Sequence, residues 1–101
     1  MEREQVLAIL KANELELRSA GVESISLFGS LARRESPAHD VDVVVRLREN
    51  FCEPGLAYFT RLDDLQRRLS EMLGCKVDVI EEPVRKERFQ KEIDRDRALA
   101  F

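Results

Sequence analysis

The sequence predicts a single α/β (α+β) domain over residues 1–101, in which a small sheet packs against helices. Apolar residues spaced three and four apart indicate amphipathic helices in some segments, and apolar residues spaced two apart indicate strands in others. A chain of 101 residues is close to the commonest domain size and is long enough for one hydrophobic core. Strands that alternate with helices in so short a chain favour two or three layers. The pattern leaves open whether the sheet is parallel or mixed.

The first part of the chain predicts a helix, then a strand, then a turn. Residues 2–20 have an amphipathic pattern, and Gly21 is a typical helix stop. The apolar positions of this helix include Val6, Leu7, Leu10 and Leu17. Residues 24–28 alternate polar with apolar side chains, which predicts a strand that ends at Gly29. A turn and a short helix are expected to follow.

The middle of the chain predicts two strands with a helix between them. A strand starts at Asp40, because apolar residues occupy alternate positions after it. Residues 49–55 contain Asn, Pro and Gly and indicate a loop, and an amphipathic helix then runs to Gly74. The apolar stripe of this helix is Leu62, Leu65, Leu69, Met72 and Leu73. Residues 76–80 predict the third strand.

The last part of the chain combines a charged helix with an apolar end. Residues 85–97 mix both signs of charge, which favours a solvated helix over a basic patch for RNA. Phe89 and Ile93 are four apart and are expected to form its buried stripe. The apolar residues 98–101 are expected to pack on the domain or on another copy. The sequence does not decide the oligomeric state, and a homodimer stays open.

Composition and charge exclude several classes of protein. The formal net charge is −3 with both signs interspersed, which argues against a surface that binds long nucleic acid. Cys52 and Cys75 lack the spacing of a zinc site and are expected to be reduced thiols. No export signal is visible, and no apolar run approaches the roughly 20 residues that cross a bilayer. We therefore expect a soluble, cytoplasmic protein.

Two carboxylates at the start of the second strand are the first candidate site. Asp40 and Asp42 are two apart on a strand, so they share a face with Cα atoms roughly 6.6 Å apart. Flanking valines must face the core, and this fixes the carboxylates beside each other. Mg²⁺ prefers hard oxygen ligands and often takes one or two carboxylates together with substrate phosphates. The alternative is a solvated strand start without a ligand.

A glycine turn and a third carboxylate extend this site. Gly29 and Ser30 stand where a strand ends, and a glycine lets the backbone N–H groups approach a phosphate. Ser30 alternatively only caps a helix. Asp78 lies on the third strand and faces away from the core. If the two strands are adjacent, Asp78 would complete a second metal site or accept a proton from an attacking hydroxyl.

Two segments together resemble a known family. Residues 26–33 read SLFGSLAR and residues 40–45 read DVDVVV. This combination resembles the DNA polymerase beta-like nucleotidyltransferase superfamily, and within it the minimal nucleotidyltransferase (MNT) domains. The resemblance spans roughly residues 20–80 and implies the nucleotidyltransferase fold. That fold has a small mixed sheet of about three to four strands packed with helices.

The resemblance also implies a role for each candidate residue. Gly29 and Ser30 would bind the triphosphate, and Asp40 and Asp42 would hold divalent metal ions. Asp78 would be the third acid. Arg33 matches an arginine that is often present in the family, where a phosphate contact and a solvated helix position are both open readings.

The chain departs from the family pattern between the turn and the acid pair. Arg34 stands where the family usually has glycine, and His39 stands where serine or threonine commonly precedes the first metal-binding aspartate. Residues 31–39 form a segment of nine residues, one fewer than the commonest MNT spacing. His39 is open to a catalytic role and to the plainer one of a loop residue.

The activity implied by the resemblance is Mg²⁺-dependent transfer of a nucleoside monophosphate. AMP would pass from ATP to an acceptor hydroxyl, with two Mg²⁺ ions and release of pyrophosphate. MNT proteins often act as antitoxins beside helical HEPN-type toxins, and a tyrosine of that partner is the expected acceptor. Two alternatives stay open. In the first alternative, the chain is a binding module that neutralises its partner without catalysis. In the second, it modifies a small molecule such as an aminoglycoside.

Overall fold

A four-stranded mixed sheet with four helices makes up the described part of the chain, residues 2–29, 40–49 and 56–101 of this computed structural model. The elements are α1 (Arg3–Ala12), α2 (Glu14–Ser19), β1 (Val22–Phe28), β2 (Asp40–Leu47), α3 (Leu56–Leu73), β3 (Lys76–Glu81), α4 (Glu87–Asp96) and β4 (Ala98–Leu99). The strand order is β3-β2-β1-β4. Strand β2 pairs parallel to β3, whereas β1 pairs antiparallel to both β2 and β4. The predicted fold class is confirmed, and the sheet is mixed.

The predicted helix over residues 2–20 is divided in two at Asn13. The side chain of Asn13 donates a hydrogen bond from Nδ2 to the carbonyl of Ile9 at 2.8 Å. Its backbone N–H is shared between the carbonyls of Ile9 and Leu10, both at 3.2 Å. A side chain that bonds to nearby backbone competes with regular helical bonding, and this ends α1 before α2 begins. Gly21 follows with φ of 106° and ends α2, as predicted.

The remaining predicted strands and helices are present with small changes at their ends. Apolar spacing correctly predicted α3, and alternation correctly predicted β2 and β3. The turn and short helix expected after Gly29, and most of the loop over residues 49–55, lie outside the described residues. No helix in the described ranges is long and apolar enough to cross a bilayer. Cys75 is a free, partly buried thiol, and Cys52 lies outside the description.

One face of the sheet forms the main hydrophobic core with α1, α2 and α3. Strand residues of one parity point into it from β1, β2 and β3, and helix residues meet them at helical spacing. The fully buried members are Val6, Leu10, Leu17, Ile25, Leu27, Val41, Val43, Val45, Leu69 and Val77. This arrangement fixes the direction of every other strand residue. Side chains of the opposite parity must face the second surface of the sheet.

Helix α4 covers part of that second surface. The ring of Phe89 on α4 contacts the ring of Phe28 on β1 edge to face, with centroids 5.6 Å apart. Ile93 is fully buried and so is Val44, which has the parity of the second face of β2. The predicted stripe of Phe89 and Ile93 is therefore present, although Phe89 stays partly exposed. The structure has three layers, with α4 alone on the second face within the described part of the chain.

A buried carboxylate fastens α4 to the sheet. Glu82 follows β3 and is only 4% exposed. Its Oε1 accepts hydrogen bonds from Arg97 Nη2 at 2.5 Å and from Gln90 Nε2 at 3.2 Å. Arg46 of β2 lies on the same face, with Nη2 at 3.5 Å from that oxygen. Two groups from the α4 segment and one from the sheet thus share one buried anion, and this sets the position of the helix.

The apolar end of the chain packs on the domain, which is one of the two outcomes expected. Strand β4 pairs with β1 through Ser26 opposite Leu99 and Leu27 opposite Ala98. The pairing continues beyond β4, where the N–H of Ile25 donates to the carbonyl of Phe101 at 3.1 Å. Phe101 is 8% exposed and belongs to the core.

Replacing Arg97 by Met is expected to lower the free energy of unfolding by roughly 3 kcal/mol, because the buried Glu82 carboxylate would lose its shortest ion pair. The matched control is Arg67→Met, since Arg67 pairs with Asp64 at 2.9 Å where both side chains are more than half exposed. That change should cost less than about 1 kcal/mol. Urea unfolding at neutral pH measures both values. Equal losses in the two variants would contradict the role given to Glu82.

Candidate functional site

The backbone at the end of β1 approaches a carboxylate at Gly29. Gly29 has φ of +81°, a conformation that residues with a side chain rarely adopt. A β-carbon placed on Gly29 would lie 2.8 Å from Oδ2 of Asp42. Real β-carbons essentially never approach an oxygen so closely. The contact therefore requires glycine for two separate reasons, the left-handed backbone and the missing side chain.

Asp42 and Asp78 lie side by side on neighbouring strands. They are direct partners in the parallel register of β2 and β3, so their side chains leave the same face of the sheet. Adjacent strands are about 4.8 Å apart, which brings the two side chains within reach of one ion. Both residues are partly exposed, while their neighbours Val41 and Val77 are fully buried. β2 and β3 are therefore adjacent, which is the condition under which Asp78 was expected to join the site.

The register places the backbone of Asp40 opposite Lys76 at the same end of the sheet. Lys76 is exposed and has the same strand parity as Asp78. The sequence predicted no role for Lys76. Alternation alone puts it on the face of Asp78, but only the pairing of β3 with β2 brings it to the start of β2.

Several predicted site residues lie outside the described part of the chain. These are Ser30, Arg33, Arg34 and His39, together with the side chain of Asp40. Within the described residues no three His, Cys, Asp or Glu side chains come together as a metal site. The described candidates are Gly29, Asp42 and Asp78. They form one group at the end of the sheet where β1 stops and β2 and β3 start.

The donor set of this group suits a hard divalent cation. Two carboxylates supply oxygen ligands, and Mg²⁺ completes an octahedron with waters and phosphate oxygens rather than with a full protein cage. Glycine beside Asp42 lets the backbone N–H groups approach a phosphate next to the ion. Asp42 and Asp78 fit an Mg²⁺ ion that is shared with a phosphate.

The second face also brings two aromatic rings to this group. Phe28 is the register partner of Asp42 across β1 and β2, and Phe89 of α4 rests on Phe28. The sequence pattern predicted Phe89 in a buried stripe and gave no sign that it lies near the acids. No local signal shows this, since the contact joins residues far apart in sequence.

Comparison with known proteins identifies the family. The family model of the nucleotidyltransferase domain matches residues 4–100. The chain belongs to the nucleotidyltransferase domain family. It is also 38% identical over 77 residues to a protein of Methanocaldococcus jannaschii described as a candidate protein adenylyltransferase, a match that covers 74% of this chain and 72% of that protein. Membership of this family makes the chain a transferase by class.

Solved structures share the fold of this nucleotidyltransferase domain. A candidate minimal nucleotidyltransferase superposes with a TM-score of 0.76 over 97% of this chain and 95% of its own, at 24% identity. A chain of a toxin–antitoxin crystallised with AMP-PNP gives a TM-score of 0.64 over 100% and 73% of the two chains, at 15% identity. A chain from the complex of a tri-AMPylated Shewanella oneidensis HEPN toxin with its MNT antitoxin gives 0.61 over 94% and 71%, at 16% identity. The predicted resemblance to an MNT domain is confirmed.

The approach of Gly29 to Asp42 predicts different effects of alanine at two left-handed glycines. Gly29→Ala and Gly74→Ala should each lose roughly 1 kcal/mol of stability from the backbone conformation. Nothing lies within 4 Å of a β-carbon on Gly74, whose φ is +70°. Only Gly29→Ala should therefore rotate the Asp42 carboxylate away, because the end of a side chain yields more easily than backbone. Crystal structures of both variants would reveal the rotation. An unmoved Asp42 side chain in Gly29→Ala would contradict the prediction.

Proposed function

We propose that this chain transfers AMP from Mg²⁺-bound ATP to a hydroxyl group of a protein partner. One observation carries the proposal. The carboxylates of Asp42 and Asp78 share a face in direct register, and the backbone of Gly29 stands against the first of them. A phosphate and its metal ions fit between a glycine turn and paired carboxylates.

Each residue of the site would have a separate part in the reaction. Bound Mg²⁺ would neutralise the charge of the triphosphate and polarise its phosphoryl oxygens. Asp40, Asp42 and Asp78 would hold these ions, and the number we propose is two. Gly29 and Ser30 would bind the phosphates through N–H groups and a hydroxyl, and Arg33 would add a charge. Alternatively, Asp78 would accept the proton of the attacking hydroxyl.

The geometry suits attack at the α-phosphorus. In-line displacement needs the triphosphate held rigidly while charge on it is neutralised. The acids lie on two strands, and the valines that alternate with them pack in the core. The proposed metal ligands therefore cannot move apart without disturbing the core. The acceptor oxygen would form a bond to the α-phosphorus. The bond between the α-phosphorus and the oxygen that bridges it to the β-phosphate would break, and pyrophosphate would leave with that oxygen.

A HEPN-type toxin is the partner that we propose, with one of its tyrosines as acceptor. The relative described as a candidate protein adenylyltransferase supports ATP as donor and a protein as acceptor. The chains of toxin–antitoxin complexes with the same fold support a helical toxin as that protein. The described helices and strands all pack on one sheet. The acceptor would then be presented by the partner, and the chain would act as an antitoxin.

Replacing Asp42 by Asn should abolish AMP transfer to the proposed HEPN-type toxin partner. Loss of one metal-binding charge removes several kcal/mol of transition-state stabilisation, which corresponds to at least about a hundredfold in rate. Asp63→Asn is the matched control, since Asp63 is exposed on α3, which packs on the other face of the sheet from the acids. Mass spectrometry of the partner after incubation with ATP and Mg²⁺ measures the adduct. The control should keep the wild-type rate, and chelation of Mg²⁺ should stop it.

Two outcomes separate catalysis from plain binding. If no AMP adduct forms with wild-type protein and Asp42→Asn is indistinguishable from it, the catalytic proposal is wrong. Calorimetry then decides the alternative function. A stable complex with the toxin and no Mg²⁺-dependent affinity for any nucleoside triphosphate would identify a binding module that neutralises its partner by complex formation.

A further inference from the structure

We infer that Phe89 stacks against the base of the bound nucleoside triphosphate and gives the site a preference for purines. The inference rests on the proposed function, because it assigns the base subsite of the same nucleotide. It concerns a residue of α4, outside the strands and turn that hold the acids and phosphates.

Strand register carries Phe89 to the edge of the acid group. Phe28 and Asp42 are opposite each other in the antiparallel pairing of β1 and β2, so their β-carbons are about 5 Å apart. Phe28 is also the residue directly before Gly29. The ring of Phe89 lies 5.6 Å from that of Phe28 at an interplanar angle of 67°. An aromatic pair thus borders the carboxylate and the phosphate turn on the face of the sheet that carries the acids.

The Glu82 cluster holds the ring at that border. Gln90 follows Phe89 on α4, and successive residues point about 100° apart around a helix. Gln90 and Arg97 both bond to Glu82, which lies beyond the end of β3 that is remote from Asp78. The contact of Phe89 with Phe28 places its ring near the end of β1, which is the end of the sheet with the acids. The bonds to Glu82 hold α4, and so the ring, in one position before a ligand binds.

The exposure of the ring fits a ligand contact better than pure packing. Ile93, one turn further along α4, is fully buried, whereas Phe89 and Phe28 each keep part of their surface in solvent. An edge-to-face pair leaves ring surface free for a second flat partner. A nucleobase is such a partner, and it is tied to the α-phosphate through one ribose. Purines offer a larger ring surface for stacking than pyrimidines do.

Binding of ATP and of inorganic triphosphate, each with Mg²⁺, tests the inference. Phe89→Leu keeps the apolar packing on Phe28 and removes the aromatic ring. It should weaken ATP binding about tenfold, within the range for loss of one base stack, and leave triphosphate binding unchanged because triphosphate has no base. The affinity for CTP should fall less than that for ATP. Phe89→Tyr should restore ATP affinity, and Phe59→Leu, at an aromatic that is 63% exposed on α3, should change neither ligand.

Each outcome of this experiment decides the inference. Equal weakening of ATP and triphosphate would mean that α4 has moved as a whole, and the inference would be wrong. Unchanged ATP affinity in Phe89→Leu, or a loss in Phe89→Tyr as large as that in Phe89→Leu, would also overturn it. In those cases the wild-type chain still binds ATP with Mg²⁺, and the proposed function stands. A wild-type chain that binds no nucleoside triphosphate would overturn both.

Discussion

The parallel register between β2 and β3 is the constraint on which the rest of the site depends. Valines of one parity on both strands pack in the core, and all of them except the partly buried Val79 are fully buried. Neither strand can therefore shift by one residue without moving valines into water and carboxylates into the core. The same register sets Asp42 opposite Asp78. Burial of apolar side chains thus provides the force that holds two like charges together. The proposed metal binding would use a geometry that hydrophobic packing has already established.

The second face of the sheet has two tasks that conflict. Val44 and its neighbours must be covered, yet the carboxylates a short distance along the same strands must stay open to a ligand. Helix α4 resolves the conflict by crossing only part of the face. Its own core contact is small, with Ile93 as its one fully buried residue, so the buried Glu82 supplies much of what holds it. Buried ion pairs fix the orientation of a helix more than they add net stability. This suits α4, because its position on the sheet matters more than the apolar area that it buries.

Local patterns predicted most of the fold and part of the site. Alternation around Val41, Val43 and Val45 identified β2, and the resemblance to MNT domains supplied the mixed sheet that periodicity left open. The break at Asn13 was not predicted, because apolar spacing continues across it while a side-chain hydrogen bond interrupts the backbone. The short strand β4 was also missed, since two paired residues leave no periodic signal. Asp78 was identified by its strand parity, whereas the link between Phe89 and the acids depends on long-range packing. The roles of Ser30, Arg33 and Asp40 stay predictions.

The approach of Gly29 to Asp42 has a consequence for how this protein can evolve. Every amino acid except glycine has a β-carbon, so the first step of any substitution at Gly29 already meets the carboxylate oxygen. Any substitution at this position therefore also requires the Asp42 carboxylate to move. Positions on α4 face no such barrier, because their side chains can be exchanged for others of graded size. With Phe89 as the proposed base contact, substitutions on the helix would change the nucleotide preference while the glycine and the acids stay as they are.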